Sequence, residues 1–155
     1  MFNGNPSNIH KVFMSEAIKL ATLAYKNKEV PVGAVIVHNN RIIGKGYNQV
    51  ELMDDPTAHA EMIAISAACS TLKQKYLTNC TLYVTLEPCP MCSGAIVWSK
   101  LNRVVFGAMD EGAGGSGSIF NITSNKNLNH QAEIIQGVME YDCKELLQSF
   151  FKERR

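Results

Sequence analysis

At 155 residues the chain is sized for one domain, residues 1–155, and a domain of that size buries roughly 70% of its unfolded-chain surface. Its 46% hydrophobic and 19% charged residues are those of an ordinary soluble globular protein, and no apolar run approaches the ~20 residues of a membrane span. A net charge of +1 excludes nucleic-acid binding through bulk charge, so an RNA partner would have to meet a local basic patch. Five cysteines, an odd count, do not make the dense disulfide framework of small secreted domains. Residues 1–11 also lack the basic start and apolar run of a signal peptide, so a cytoplasmic location is expected.

The first predicted element is an amphipathic helix over residues 7–27. Phe13, Met14, Ala17, Ile18, Ala21, Ala24 and Tyr25 recur there at three- and four-residue spacing, with Ser7 as N-cap. A β-branched run over 32–37, the turn Asn39-Asn40 and a return over 41–47 predict a hairpin. Gly44 and Gly46 predict a bulge or a close backbone approach. Asn48 stands just beyond the strand, where by itself it is a turn former. Residues 51–55 read as a polar loop. Asp55-Pro56 then opens a second helix to about Leu72, with Pro56 in its first turn.

Residues 81–86 form the third strand, followed by a helix from about Pro90, whose Met91 and Trp98 are expected in the core. A fourth strand covers 103–107, and the glycines of 110–117 predict a flexible rim loop without the spacing of a phosphate-binding fingerprint. Residues 119–128 read as irregular or short helix, 132–136 as a fifth strand and 141–155 as a closing helix with a basic tail. The order predicts a three-layer α/β/α sandwich with a mixed five-stranded sheet. Its site is expected at the sheet edge from which both central helices start.

The chemistry sits in His59-Ala60-Glu61 and Pro88-Cys89-Pro90-Met91-Cys92. They offer one imidazole and two thiols as metal ligands, plus a carboxylate that need not be one. Two residues apart on a helix is a rotation of about 200°, so His59 and Glu61 can serve one metal only if it sits off the helix end. Cys89 and Cys92, three apart, fall on one face. Structural zinc sites fill four positions with protein, whereas three ligands leave a place for water, whose pKa zinc lowers from ~16 to roughly 7. A redox dithiol or a closed zinc knuckle is the competing reading, but His38, His130, Cys69, Cys80 and Cys143 show no paired metal spacing. The sulfur-rich set suits zinc better than iron.

These motifs resemble the cytidine deaminase superfamily. Longer stretches resemble its bacterial tRNA-specific adenosine deaminases: Val30-Pro31-Val32-Gly33-Ala34-Val35, Asp55 to Glu61, Thr81 to Cys89, Arg103-Val104-Val105-Phe106-Gly107-Ala108 and Ser149-Phe150-Phe151-Lys152. The resemblance implies a cytidine deaminase-like fold and hydrolysis of adenosine to inosine at the wobble position of an arginine tRNA anticodon. It further implies a homodimer holding one zinc per chain, with no organic cofactor and no membrane. By position His59, Cys89 and Cys92 would hold zinc, and Glu61 would carry a proton from water to the ring as C6 is attacked and ammonia leaves. The side chain of Asn48 and the backbone N–H of Ala60 would hold the flipped base. Val30 and Leu86 would wall its pocket, and Asp110 would touch the neighbouring nucleotide. Gly112 stands where family members often carry a Lys, so Lys152, Arg154 and Arg155 are the remaining candidates for RNA contact. A free-base or nucleoside deaminase acting on guanine or cytidine with the same zinc site is the alternative, and an RNA-binding subunit with structural zinc is a third.

Overall fold

The computed structural model describes residues 6–154. Its elements run α1 (Pro6–Lys26), β1 (Gly33–His38), β2 (Arg41–Tyr47), α2 (Val50–Met53), α3 (Ala60–Leu72), β3 (Cys80–Leu86), α4 (Pro90–Ser99), β4 (Arg103–Ala108), β5 (Glu133–Ile135) and α5 (Glu140–Glu153). The strands line up as β2-β1-β3-β4-β5, antiparallel from β2 to β3 and parallel from β3 to β5. This is the expected mixed sheet.

Both faces of the sheet are covered, which is why its strands read as nearly continuous apolar runs. Val35, Val37, Tyr83 and Val105 point to one side and pack with Phe13, Met14 and Ala17 of α1 and Cys143 of α5. Ala34, Ile36, Leu82, Val84, Val104 and Phe106 point to the other, against Ala60, Ala64 and Ala68 of α3 and Ile96 of α4. The three-layer sandwich follows from that alternation.

The hairpin turns through Asn39 and Asn40, both at positive φ (50° and 61°), the pair of left-handed residues that matches strand twist. Pairing jumps from Ile36↔Gly44 to Val37↔Ile42, so Ile43 is the extra residue of a bulge. The glycines of β2 also face α3 at backbone distance. A Cβ on Gly46 would lie 2.2 Å from the Ala60 carbonyl oxygen, and one on Gly44 2.5 Å from that of Ala64. Small side chains on both partners bring helix and strand together.

Four expectations change. α1 begins at Pro6, and the side chain of Ser7, its expected cap, lies outside the described residues. The loop expected over 51–55 contains α2, because the buried Glu29 carboxyl accepts hydrogen bonds from the backbone N–H of Glu51 (3.0 Å) and of Leu52 (2.9 Å). α3 starts at Ala60, five residues after Asp55. Asp55 Oδ1 accepts from both the N–H and the hydroxyl of Thr57 (2.8 and 2.7 Å), a side-chain turn that keeps 55–57 out of the helix. Trp98, expected in the core, is 78% exposed, since α4 buries the neighbouring Ile96 and Val97 instead.

Packing at Gly46 leaves no room for a methyl group. Gly46→Ala should destabilise the fold by about 1–3 kcal/mol. Gly94 of α4 has open space around its Cβ position, so Gly94→Ala should stabilise by about 0.4–1 kcal/mol. Urea melts of the two variants check both signs.

Candidate metal centre and its pocket

β2 runs parallel to β3, and since Gly33 pairs Tyr47 while Ala34 pairs Val84, both strands end at the same sheet edge. α3 and α4 therefore start side by side there. His59 precedes α3 in extended conformation (φ −77°, ψ 153°), and Cys89 precedes α4 likewise (φ −70°, ψ 173°). Cys92 falls on the first turn of α4. His59 Nδ1 lies 3.7 Å from Cys89 Sγ and 3.6 Å from Cys92 Sγ, and one ligand atom from each residue falls within 4.8 Å of the others. With zinc–nitrogen lengths of about 2.0–2.1 Å and zinc–sulfur lengths of about 2.3 Å, the edges of a tetrahedron are ~3.5–3.8 Å. The residues fit zinc. Among the described residues no fourth His, Cys, Asp or Glu joins the cluster, which leaves the open position that catalytic sites keep.

The electrostatics favour the same use. The positive ends of two helices meet at the cluster. Cys89 is held down at about 4 by the hydrogen bond from the Cys92 thiol, with His59 adding to this against the effect of burial. The Cys92 thiol is driven up by its hydrogen bond to Cys89 and by burial. His59 is raised, chiefly by its hydrogen bond with Cys89. Glu61, 4% exposed on the first turn of α3, is pushed up to about 7 by burial. A carboxyl that binds and releases its proton near neutrality is suited to acid–base work.

A cavity of about 360 Å³ stands over the cluster. His59, Cys89 and Glu61 line it together with Asn48, Val30, Leu86 and Asp110. The sequence reading placed all seven at the site, and the fold brings them together. Ala60 is different: it is fully buried, and its N–H donates to Asn48 Oδ1 at 2.8 Å. Asn48, 8% exposed, thus satisfies the first N–H of α3 with its oxygen while also lining the cavity. A second hollow of about 520 Å³ shares Val30, Leu86 and Asp110 with the first and runs along α5 to Phe151. Lys152 is exposed on α5. The guanidinium of Arg154 stacks 4.2 Å from the Phe150 ring centre and donates to the Lys28 carbonyl at 2.6 Å. Arg155 lies outside the described residues.

Two buried acids went unnoticed in the sequence. Glu29 organises α2, whose Val50 and Glu51 line the cavity. Glu87, 1% exposed, accepts from the backbone N–H of Asp110 (3.1 Å), Ser116 (3.1 Å) and Ser118 (3.0 Å) and from the Ser118 hydroxyl. The loop expected to be flexible is therefore fastened. Gly115 N–H also donates to the Pro88 carbonyl (2.7 Å), and Ser93, Ser116 and Thr123 form a buried chain of hydroxyls. The available signal was a charged residue at the end of an apolar strand, upstream of a loop rich in backbone donors. Gly112 sits exposed on that loop and presents no cation, as its sequence implied.

The pattern of the cytidine and deoxycytidylate deaminase zinc-binding region matches residues 7–108. The chain is 48% identical over 145 residues to the tRNA-specific adenosine deaminase of Bacillus subtilis (strain 168), covering 94% of this chain and 90% of that one. It is 49% identical over 143 residues to the enzyme of the same name from Aquifex aeolicus (strain VF5), covering 92% and 94%. A solved structure from a study of A-to-I editing by tRNA:A34 deaminases at the wobble position of transfer RNA superposes with a TM-score of 0.85. Its identity is 38%, with 88% of this chain and 99% of that chain covered.

In metal-stripped protein Cys89 should be the fastest thiol to alkylate at pH 6, where ordinary thiols with pKa of about 8.5 are protonated. Because its pKa is lowered, the rate should hold as pH falls toward 5 and drop only as pH passes about 4. Cys143, buried and pushed up to about 12, should stay unmodified until the chain unfolds, and added zinc should protect Cys89. Peptide mapping after brief iodoacetamide treatment checks the order.

Proposed function

The chain belongs to the zinc-dependent cytidine and deoxycytidylate deaminase family, and within it to the tRNA-specific adenosine deaminases. From that premise we propose that it converts adenosine to inosine at the wobble position of a tRNA anticodon, that of an arginine tRNA by resemblance. It is a hydrolytic enzyme with a site for one zinc per chain. The observation that carries the substrate reading is the placement of Glu61 beside the His59–Cys89–Cys92 cluster, at a cavity that adjoins a second hollow along α5. At about 360 Å³, the cavity sits near the lower end of the roughly 300–1,000 Å³ of small-ligand pockets. The second hollow gives the flanking nucleotides somewhere to lie. A free base would have no use for it.

His59, Cys89 and Cys92 would hold the zinc, which supplies Lewis acidity that brings the pKa of water to about 7. Val30 and Leu86 give the extruded purine apolar walls, and Asn48 turns its amide toward one edge. Hydrolysis forms a bond from water oxygen to C6 and breaks the bond from C6 to the amino nitrogen. Glu61 takes one proton from the attacking water and delivers it to the ring nitrogen, then passes the second from the new C6 hydroxyl to the amino group, which departs as ammonia. Burial serves this exchange by holding the carboxyl near neutrality. An anticodon loop presents its base at low unstacking cost. Asp110 lies on the wall shared by both cavities and would meet the neighbouring nucleotide. By the same likeness the enzyme is assigned a homodimeric assembly and a cytoplasmic location. Among the described residues no helix is long and apolar enough to cross a membrane.

The test is incubation with an anticodon stem-loop carrying a wobble adenosine, with inosine read by mass spectrometry beside free guanine and cytidine. Inosine formation is expected; turnover of the small substrates without it would overturn the assignment. Glu61→Ala should lower the rate by about 10²–10⁴-fold with zinc retained, and loss of the metal would make Glu61 structural instead. Lys152→Ala should weaken stem-loop binding and lower the slope of log affinity against log salt by about one, measured by fluorescence anisotropy.

A further inference from the structure

We propose that Glu87 is a positioning residue that locks one wall of the base cavity to the segment bearing the metal ligands. Glu87 is the residue between the end of β3 and Pro88-Cys89, so its backbone is continuous with a ligand, while its side chain reaches into the loop over 110–118. Its backbone N–H is also fixed, donating to the Ala108 carbonyl at 2.8 Å. Every hydrogen bond to the buried carboxyl comes from a donor. Oε1 accepts from Asp110 N–H and the Ser118 hydroxyl, and Oε2 from Ser116 and Ser118 N–H. Only a group with acceptors on both arms fits that shell. An amide of the same size would set its NH₂ against donors.

The loop has been shaped around the carboxyl. A Cβ on Gly114 would come within 2.1 Å of Glu87 Oε2, and one on Gly115 within 2.9 Å of Pro90 Cα. Asp110 and Ala113, on the same loop, line the cavity. Glu87 thus ties the cluster to the wall that Asp110 and Ala113 supply; it borders the cavity itself, but both of its carboxyl oxygens are taken up by donors of the loop. The consequence for catalysis rests on the deaminase reading above; the consequence for loop order does not.

The experiment uses the zinc-loaded protein and three variants, Glu87→Gln, Ser118→Ala and Gly114→Ala. Each hydrogen bond to such an acceptor is worth roughly ten- to a hundredfold in an equilibrium. Amide exchange over 110–118 should therefore speed up at least tenfold in Glu87→Gln, less in Ser118→Ala, with protection in β3 and β4 unchanged. Zinc should stay at one per chain. KM for the stem-loop should rise about tenfold or more with a smaller change in kcat, whereas Glu61→Ala should lose kcat and keep its loop protection. Gly114→Ala displaces the carboxyl without altering it and should reproduce both effects, which covers the case in which Glu87→Gln does not fold. Unchanged loop exchange in either folded variant would overturn the proposal, as would a kcat loss without a KM change. If wild type makes no inosine, the deaminase reading fails alone, and the exchange data still decide the role of Glu87.

Discussion

The approach of His59 to two sulfurs 3.6–3.7 Å away is the constraint on which the rest of the molecule depends. Three side chains can meet off two helix ends only if those helices start from one sheet edge and lie on one face. The parallel relation of β2 to β3 provides the edge, and the right-handed crossover expected of parallel strands provides the face. The alanine stripe of α3, Ala60, Ala64 and Ala68, then lets that helix settle onto the glycines of β2 at backbone distance. A bulkier stripe would lift His59 away from the cysteines.

The site is held by polar groups as much as by apolar packing. Glu29 and Glu87 are both buried, and among the described residues neither has a cationic partner; each is satisfied by backbone donors. An isolated buried charge is costly, but a fully hydrogen-bonded one becomes a specific fastener. Glu29 fixes the wall at 50–52 and Glu87 the wall at 110–118. The cavity thus keeps its width through contacts that each have one geometry, which apolar walls alone would not impose.

Most of the fold was legible because its strands and helices announce themselves by period. β1 with its Asn39-Asn40 turn, the apolar spacing of α1 and the paired motifs at 59–61 and 88–92 each carry a local signal that tertiary contacts did not overrule. The readings that changed depend on distant partners. α2 forms because Glu29, over twenty residues upstream, supplies its missing acceptor. Asp55 turns the chain at Thr57 and so delays α3 to Ala60. The glycine run of 110–117 reads as mobile until the buried carboxyl of Glu87 is seen beside it. Trp98 looks like core by residue type, and only the packing of Ile96 and Val97 shows that it faces outward.

The contact between Asn48 and Ala60 ties two properties into one amide. Its oxygen closes the start of the helix that bears Glu61, and its remaining face looks into the chamber where a nucleobase would rest. Under the proposed function, drift at this position would not tune base preference alone, because a replacement that altered recognition would also remove the acceptor at the start of the helix bearing Glu61. Lineages of this architecture seeking new substrates would therefore be steered toward the apolar walls and the rim, where side chains can vary one at a time.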